Sequence, residues 1–535
     1  MKKSILLPLA MLAFPMTLSA ADYFMSPEGK GEKDATSWDN AAPVEQLASL
    51  IQKCSAGDAI YLMAGNYNLC AGETVNYPLV AGITIMGGFP ADATGTDITG
   101  YDSKLNVTIL DAQEKNGQAK ALFTLEPTEE QFGNRTLLKG LTIMNCRPNT
   151  TANAGVVFFS KTAKADMVEV VMKNNKCTKG GIVAVAHGSE FMASDCQFVN
   201  NENTTTGNAG GRQVCISTAK GVTRHPNTLV ALDKCLFLGN KWEEGKAKWG
   251  GLINLGDGTA QFTVNLIMTH CFADGNQQMM DQKGGWLRVG SYSSAFLAFN
   301  TGFNFKINSD NFAWSGSVVS TAGSVGVITL MGNLFLNEDA SHTAFGLDAA
   351  LHADSKSLGY NVVNKSPTDK DTSFNWNLPS DKWNHEALQN EVLDSENATE
   401  SGLVPAKEAF KDVPLAEIQA VTVPELFKTF ASRIDLSKDV TGTPREALSY
   451  RGAYSPSKLN TGINETLSET EIFVIKMGKD VYRILGSENA ACDVYDLTGK
   501  RVAVKNQSSD ILDLSGCPDG IYIFRVAGKS FKIAK

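Results

Sequence analysis

Apolar positions in the middle of this chain recur as a two-part phrase, not as one long helix or one continuous core. Each copy opens on a pair of small residues that leads into a short apolar strand. These read Gly180-Gly181-Ile-Val-Ala-Val, Gly210-Gly211-Arg-Gln-Val-Cys, Gly250-Gly251-Leu-Ile-Asn-Leu and Gly284-Gly285-Trp-Leu-Arg-Val. Looser copies begin at Ala154-Gly155 and Ser315-Gly316. A second strand closes the phrase near an Asn, as in Asp195-Cys196-Gln-Phe-Val-Asn-Asn201, Lys234-Cys235-Leu-Phe-Leu-Gly-Asn240, His270-Cys271-Phe-Ala-Asp-Gly-Asn276 and Gly332-Asn333-Leu-Phe-Leu-Asn337. The copies start roughly 26 to 40 residues apart, the period of a solenoid whose units bury their apolar sides against one another.

Each coil is expected to hold two or three short strands rich in β-branched and aromatic residues, stacked parallel on the next coil. The paired glycines are read as corners that need unusual φ values. The Asn after the second strand tolerates the left-handed conformation, and its amide can bond the Asn one coil away. Long excursions such as Lys241 to Lys248 are loops on one flank. Ahead of the repeats, Leu47, Leu50, Ile51 and Cys54 fall at helical spacing within Pro43 to Cys54. A helix there would cover the open end of the first coil. From Lys365 the phrase gives way to charged, Pro-containing sequence with helical stretches at 382–393 and 425–432, expected to cap the last coils through residue 455.

Residues 456–468 are Ser/Thr/Asn-rich and read as a linker. Residues 469–535 alternate as short strands between Thr-Gly-Lys and Asp-Gly turns, which predicts a small antiparallel β-sandwich. The fold class is thus all-β: a single-stranded parallel β-helix over 22–455, followed by that sandwich.

Composition adds constraints more than chemistry. The chain has 535 residues, 43% apolar and 20% charged, an ordinary folded balance. Met1-Lys2-Lys3 precedes an apolar run, and Ser19-Ala20-Ala21 offers a signal peptidase its small residues, so 1–21 reads as a signal peptide cut before Asp22. No later stretch is long and apolar enough for a membrane-spanning helix. A formal net charge of −9 without basic stripes argues against nucleic acid as a partner. There are 10 cysteines. Cys196, Cys235 and Cys271 hold equivalent places and are expected as stacked interior residues. Cys54 with Cys70, and Cys492 with Cys517, are the disulfide candidates, each pair lying within one short module. Six scattered His and no Cys-x-x-Cys give no metal spacing.

The early coils carry a resemblance. Ser37-Trp38, the covering helix, Ala-Gly-Asp58-Ala-Ile-Tyr-Leu and Gly65-Asn-Tyr67 resemble the N-terminal cap of secreted right-handed parallel β-helix proteins of the pectate-lyase-like superfamily. Gly87-Gly88-Phe89-Pro90, Thr108-Ile-Leu-Asp111 and Leu138-Lys-Gly-Leu-Thr-Ile-Met-Asn145 are similar to that family's first turns. Asp439-Val-Thr-Gly-Thr-Pro-Arg445 with Arg451-Gly-Ala-Tyr454 resembles its closing segment. In the C-terminal module, Val-Tyr495-Asp-Leu-Thr-Gly-Lys500, Pro518-Asp-Gly-Ile-Tyr-Ile and the terminal Lys-Ile-Ala-Lys535 resemble the sorting domain of type IX secretion cargo. That resemblance implies engagement of secretion machinery through 469–535 and an extracellular or outer-membrane-associated location.

Alternation within the strands sorts residues by face. Val183, Gln213, Ile253, Leu287 and Val318 form one inward column, and Val185, Cys215, Leu255, Val289 and Ser320 another. Outward columns are then Ile182, Arg212, Leu252, Trp286 and Ser317, with Ala184, Val214, Asn254, Arg288 and Val319. Arg212, Asn254, Trp286 and Arg288, with Trp249 and Trp314 at neighbouring corners, become candidate ligand-binding residues. Trp offers a stacking face for a sugar, and Arg a fork for carboxylate or sulfate. The competing reading is a solvated face with Arg stems over Trp rings.

Lyases on this fold use a Lys or Arg base with carboxylates on Ca²⁺, and glycosidases use clustered Asp residues; the outward columns contain no carboxylate. Asp257, Asp281, Lys283, His187, Glu243, Glu244 and His270 lie in nearby turns. The expectation is a monomeric, exported, non-catalytic protein that binds glycans or acts in adhesion, with no cofactor. The alternative is a polysaccharide lyase or glycosidase, for which alone Ca²⁺ would be needed.

Overall fold

The computed structural model describes residues 20–534 apart from 70–75, 115–120, 149–154, 161, 178–179, 187, 205–213, 219–226, 243–246, 250, 257, 260, 279, 283–284, 308–315, 322–325, 337–342, 348–353, 365–377, 384, 386–388, 399–401, 456–472, 479–480, 486–491, 497–499, 503–504, 509–510, 519 and 527–528. Successive turns of the chain cross three long parallel sheets. The first has 11 strands, from Asp22–Met25 to Lys356–Ser357; the second has 11, from Gly65–Asn68 to Lys382–Trp383; the third has nine, from Tyr77–Leu79 to Thr343–Leu347. A five-stranded parallel sheet runs from Lys176–Cys177 to Lys306–Ile307 on one flank.

One coil shows the circuit. Lys164–Val168 lies in the first sheet, Val171–Lys173 in the second, Lys176–Cys177 on the flank and Val183–Val185 in the third. The chain then re-enters the first sheet at Glu190, paired with Lys164. This is the parallel β-helix that the repeats imply, right-handed as parallel crossovers are. The interior is one continuous apolar cluster from Met25 to Val363. At the open N-terminal end, Leu47–Lys53 forms a helix after a 3₁₀ turn, with Leu47, Leu50 and Ile51 buried against that cluster.

Two corners set each coil's shape, and both use left-handed backbone. Between the first and second sheets this position is held by Glu169, Asp195, Lys234, His270, Phe299 and Gly332, with φ from 53° to 62°. After the second-sheet strand it is Asn145, Asn174, Asn200, Gly239 and Gly275. The left-handed residue therefore precedes the Asn that builds the ladder. Asn201 accepts from the backbone and side-chain amides of Asn175, and donates to Met172 O and Asn240 Oδ1. Asn240 continues to Asn276 in the same way.

The cysteine column behaves as expected: Cys196, Cys235 and Cys271 are fully buried, with burial pushing the thiols of Cys196 and Cys235 well above their usual range. It then changes chemistry, continuing as Asn300, Asn333 and Asn361 and ending on the Asp381 carboxylate. The paired glycines divide their roles too. Gly180 has φ 72°, whereas a Cβ on Gly181 would stand 2.8 Å from the Cys215 carbonyl oxygen, so its bareness serves close approach of coils.

The segment after the last coil differs from an end cap. The helical stretch expected at 425–432 is present as a 3₁₀ turn Glu425–Phe427 and helix Lys428–Ala431, whereas the one expected at 382–393 holds a strand, Lys382–Trp383, and a helix, Gln389–Val392. The segment runs back along the solenoid. Phe410, Tyr450 and Tyr454 pack on Phe272, Phe303 and Leu334 of the second sheet's outer surface. Ile418, Phe427 and Phe430 cover Met192, Ile267 and Phe296 of the first. At its far reach Arg433 meets Asp166 at 2.9 Å, 267 residues earlier in sequence. The physical reason is the outer apolar surface of these two sheets, which one flank-wise strap buries.

The C-terminal module contains a four-stranded and a three-stranded antiparallel sheet. Leu512 of one packs with Val494 and Phe524 of the other, which makes a small sandwich.

Candidate functional site

The hydrogen-bond register of the third sheet revises the predicted columns. Val183 pairs with Ile216, Ile216 with Ile253, Ile253 with Leu287 and Leu287 with Val319. Counting from the glycines misplaces two coils: Ile216 stands where Gln213 was expected, and Val319 where Val318 was. Trp286 is the larger correction. It is fully buried, inside the solenoid, its ring 6.3 Å from Phe305 and edge-on to Phe237 at 5.9 Å. A Cβ at Gly302 would fall 2.7 Å from that ring, so the glycine makes its space.

The cause is local. Ile182-Val183, Cys215-Ile216, Leu252-Ile253, Trp286-Leu287 and Val318-Val319 are all buried in the same core. The chain bends at the first member of four of these pairs, and in the fifth the strand Gly316–Thr321 carries a register irregularity before Val319, so strict alternation starts only after it. Truncating Trp286 is thus a core deletion, expected to cost about 3–5 kcal/mol of stability.

Once alternation begins, the outward row is Ala184, Ser217, Asn254, Arg288 and Ser320 on successive coils. Four of the five are polar. Arg288 donates from Nη1 to Asn254 Oδ1 at 2.9 Å. Ser217, Asn254 and Ser320 are buried while Arg288 is half-buried, and the Ser320 hydroxyl has no hydrogen-bond partner among the described residues. A planar guanidinium oriented by a neighbouring amide is a donor suited to a carboxylate or sulfate oxygen. The same donor set does not fit Ca²⁺, since a guanidinium in the row repels a dication and the described row offers no carboxylate.

Two further candidates lie in another sheet. Trp249 lies in the strand Ala247–Trp249, paired with Met280–Gln282 in a separate two-stranded sheet. Asp281 belongs to that second strand. Arg212, Trp314, Asp257, Lys283, His187, Glu243 and Glu244 lie outside the described residues. So does Cys70; Cys54 is buried, and burial with nearby Asp58 pushes its thiol up to about 11. Cys517 is half-buried, and Cys492 begins the strand Cys492–Asp496.

The structure also assembles polar groups that sequence spacing did not reveal, along the corner between the first and second sheets. Tyr101 and Ser103 donate to Glu169 Oε2 at 2.5 and 2.6 Å. Burial works against the Glu169 charge, but those two hydrogen bonds, with Lys139 and Lys104 near, hold its carboxyl below the usual range. Three coils on, His270 Nδ1 donates to Asp233 Oδ1 at 2.8 Å, and Thr269 Oγ1 donates to the same oxygen at 2.7 Å. These contacts join residues 36 to 68 apart in sequence, so only the coil register exposes them. A cavity of about 660 Å³ lies between strap and first sheet, lined by Phe296, Met331, Leu358, Val421, Lys356 and Glu417 among others. It is remote from the third-sheet row. Among the described residues no group of three or more His, Cys, Asp or Glu is placed to hold a metal ion.

Residues 29–234 match a family described as a protein of unknown function (DUF1565). Among solved structures the chain is similar to pectate lyase Pel9A, at 12% identity and a TM-score of 0.37, covering 85% of this chain and 96% of that one. It is also similar to a rhamnogalacturonan lyase, at 10% identity and a TM-score of 0.31, covering 72% of this chain and 95% of that one. No curated protein matches the chain.

Proposed function

We propose that this is an exported, surface-associated β-helix protein that binds an acidic glycan, without turning it over, along the outer row of the third sheet. The observation that carries this reading is the contrast between faces. The strap packs apolar side chains over much of the first sheet and the later coils of the second. The third sheet instead carries a polar outward row, Ser217, Asn254, Arg288 and Ser320, in coil register, with Arg288 its half-buried member. Stacked coils repeat donors about 4.8 Å apart, a spacing that lets an extended anionic chain engage more than one of them.

Export rests on the signal-like residues 1–21 and the sorting-like residues 469–535. Neither segment belongs to the binding face in this reading. A pull on secretion machinery through 469–535, and attachment at the outer membrane, are part of the proposal.

Arg288→Ala and Asn254→Ala test the binding face. Against a panel of uronate-containing and sulfated polysaccharides, Arg288→Ala should weaken capture at least tenfold, about 1.4 kcal/mol or more for a charged hydrogen bond. Asn254→Ala should have a smaller effect, with the urea midpoint of both variants near wild type. Unchanged binding in Arg288→Ala would remove this face from the account. Appearance of unsaturated products or new reducing ends would favour a polysaccharide lyase or glycosidase instead.

A further inference from the structure

The strap is fastened to the solenoid by a short staple, residues 437–455. Gly452 donates its backbone N–H to Gly332 O, and Ala453 donates to Thr301 Oγ1. Arg445, almost wholly buried, donates to the carbonyls of Lys438, Tyr450 and Gly452, and its guanidinium lies 4.2 Å over the Phe299 ring. Phe299 sits against Gly332, where a Cβ would be 2.5 Å from the ring. The ring of His270, one coil earlier, stacks on Phe299 at 6.2 Å and 13°. His270 is fully buried, and its Nε2 has no hydrogen-bond partner among the described residues.

We propose that His270 is a proton-sensitive element of this seam, and that its protonation loosens the staple from the corner formed by His270, Phe299 and Gly332. Protonation converts Nε2 from a lone pair into a second N–H donor where no described residue accepts from it. The charged groups facing the ring are Asp233 and Lys234 from the preceding coil and Arg445 from the staple. Asp233 favours the imidazolium. Burial, Arg445 and Lys234 oppose it, and together they hold the imidazole below its ordinary range.

The sign follows from linkage. The docked staple favours neutral His270, so docking is complete above the ordinary imidazole range and weakens as pH falls through it. One proton changes the opening equilibrium by at most about tenfold per pH unit. That is enough to open a hydrogen-bonded staple locally, and too little to strip the apolar strap from both sheets.

The full chain, examined by amide hydrogen exchange between pH 7.5 and 4.5 with rates corrected for intrinsic chemistry, tests this. The expected result is little change above the ordinary imidazole range and, as pH falls through it, a rise approaching tenfold per pH unit at amides of 437–455, with strands of the first sheet unchanged. His270→Asn, whose amide can still donate toward Asp233 but does not titrate, should abolish the rise. Equal acid sensitivity in wild type and His270→Asn overturns the proposal and assigns opening to groups other than His270. Should His270→Asn fold poorly, exchange at the imidazole C2 of His270 in wild type decides. Titration of His270 without a change in 437–455, or opening without titration, also overturns it.

Discussion

Single residues decide whether successive coils stay in register. Asn201 accepts two hydrogen bonds from Asn175 and passes two to Asn240, so the amides form a polarised line. Asn201→Ala would leave the buried backbone N–H of Asn175 without its acceptor and remove the side-chain donor to Met172 O and Asn240 Oδ1. A loss of roughly 3 kcal/mol is expected, from one to three unsatisfied buried groups, read as a lower urea midpoint. A shift below about 0.5 kcal/mol, within the range of an ordinary surface substitution, would contradict the ladder's role. This ladder was legible from sequence because it recurs at the repeat period, as did the interior cysteines. The burial of Trp286 was not legible. Period-two counting fails at a corner, where adjacent residues such as Trp286 and Leu287 both face inward. Nor was the change from Cys271 to Asn300 in one column, since spacing alone does not distinguish the two corners.

At the scale of elements, the strap is the feature that sequence reasoning placed least well. Its apolar residues have no helical or strand period of their own; they match a surface built by distant coils. Asp166 shows how distant, holding Arg135 at 3.0 Å and Arg433 at 2.9 Å while Arg135 also meets Glu190 at 2.7 Å. The groups are partly exposed, so solvent screening discounts the pairs. Asp166→Ala is nevertheless expected to cost about 1–2 kcal/mol and to speed amide exchange across residues 425–436 far more than in 437–455. Uniform loosening of the whole strap would show that Asp166 is not a local clasp. The same variant distinguishes this clasp from the His270 seam, which loosens the other end.

On the scale of the whole molecule, the strap packs on two of the three long sheets, and the polar row of the third is the one proposed for a ligand. The architecture was readable from the repeat, and so was Arg288 as a candidate. The composition of its row was not, because the insertion before Ile216 shifts that coil's register by three residues. The polar row Ser217, Asn254, Arg288 and Ser320 is what distinguishes this face from the apolar outer surfaces beneath the strap. Hydrogen-exchange footprinting of the full chain with and without a saturating acidic oligosaccharide tests that claim most directly. The account predicts slower exchange at Ile216–Thr218, Ile253–Leu255, Leu287–Val289 and Gly316–Thr321, with the strap unchanged. Protection confined to the strap and its 660 Å³ cavity, with none on the third sheet, would contradict it.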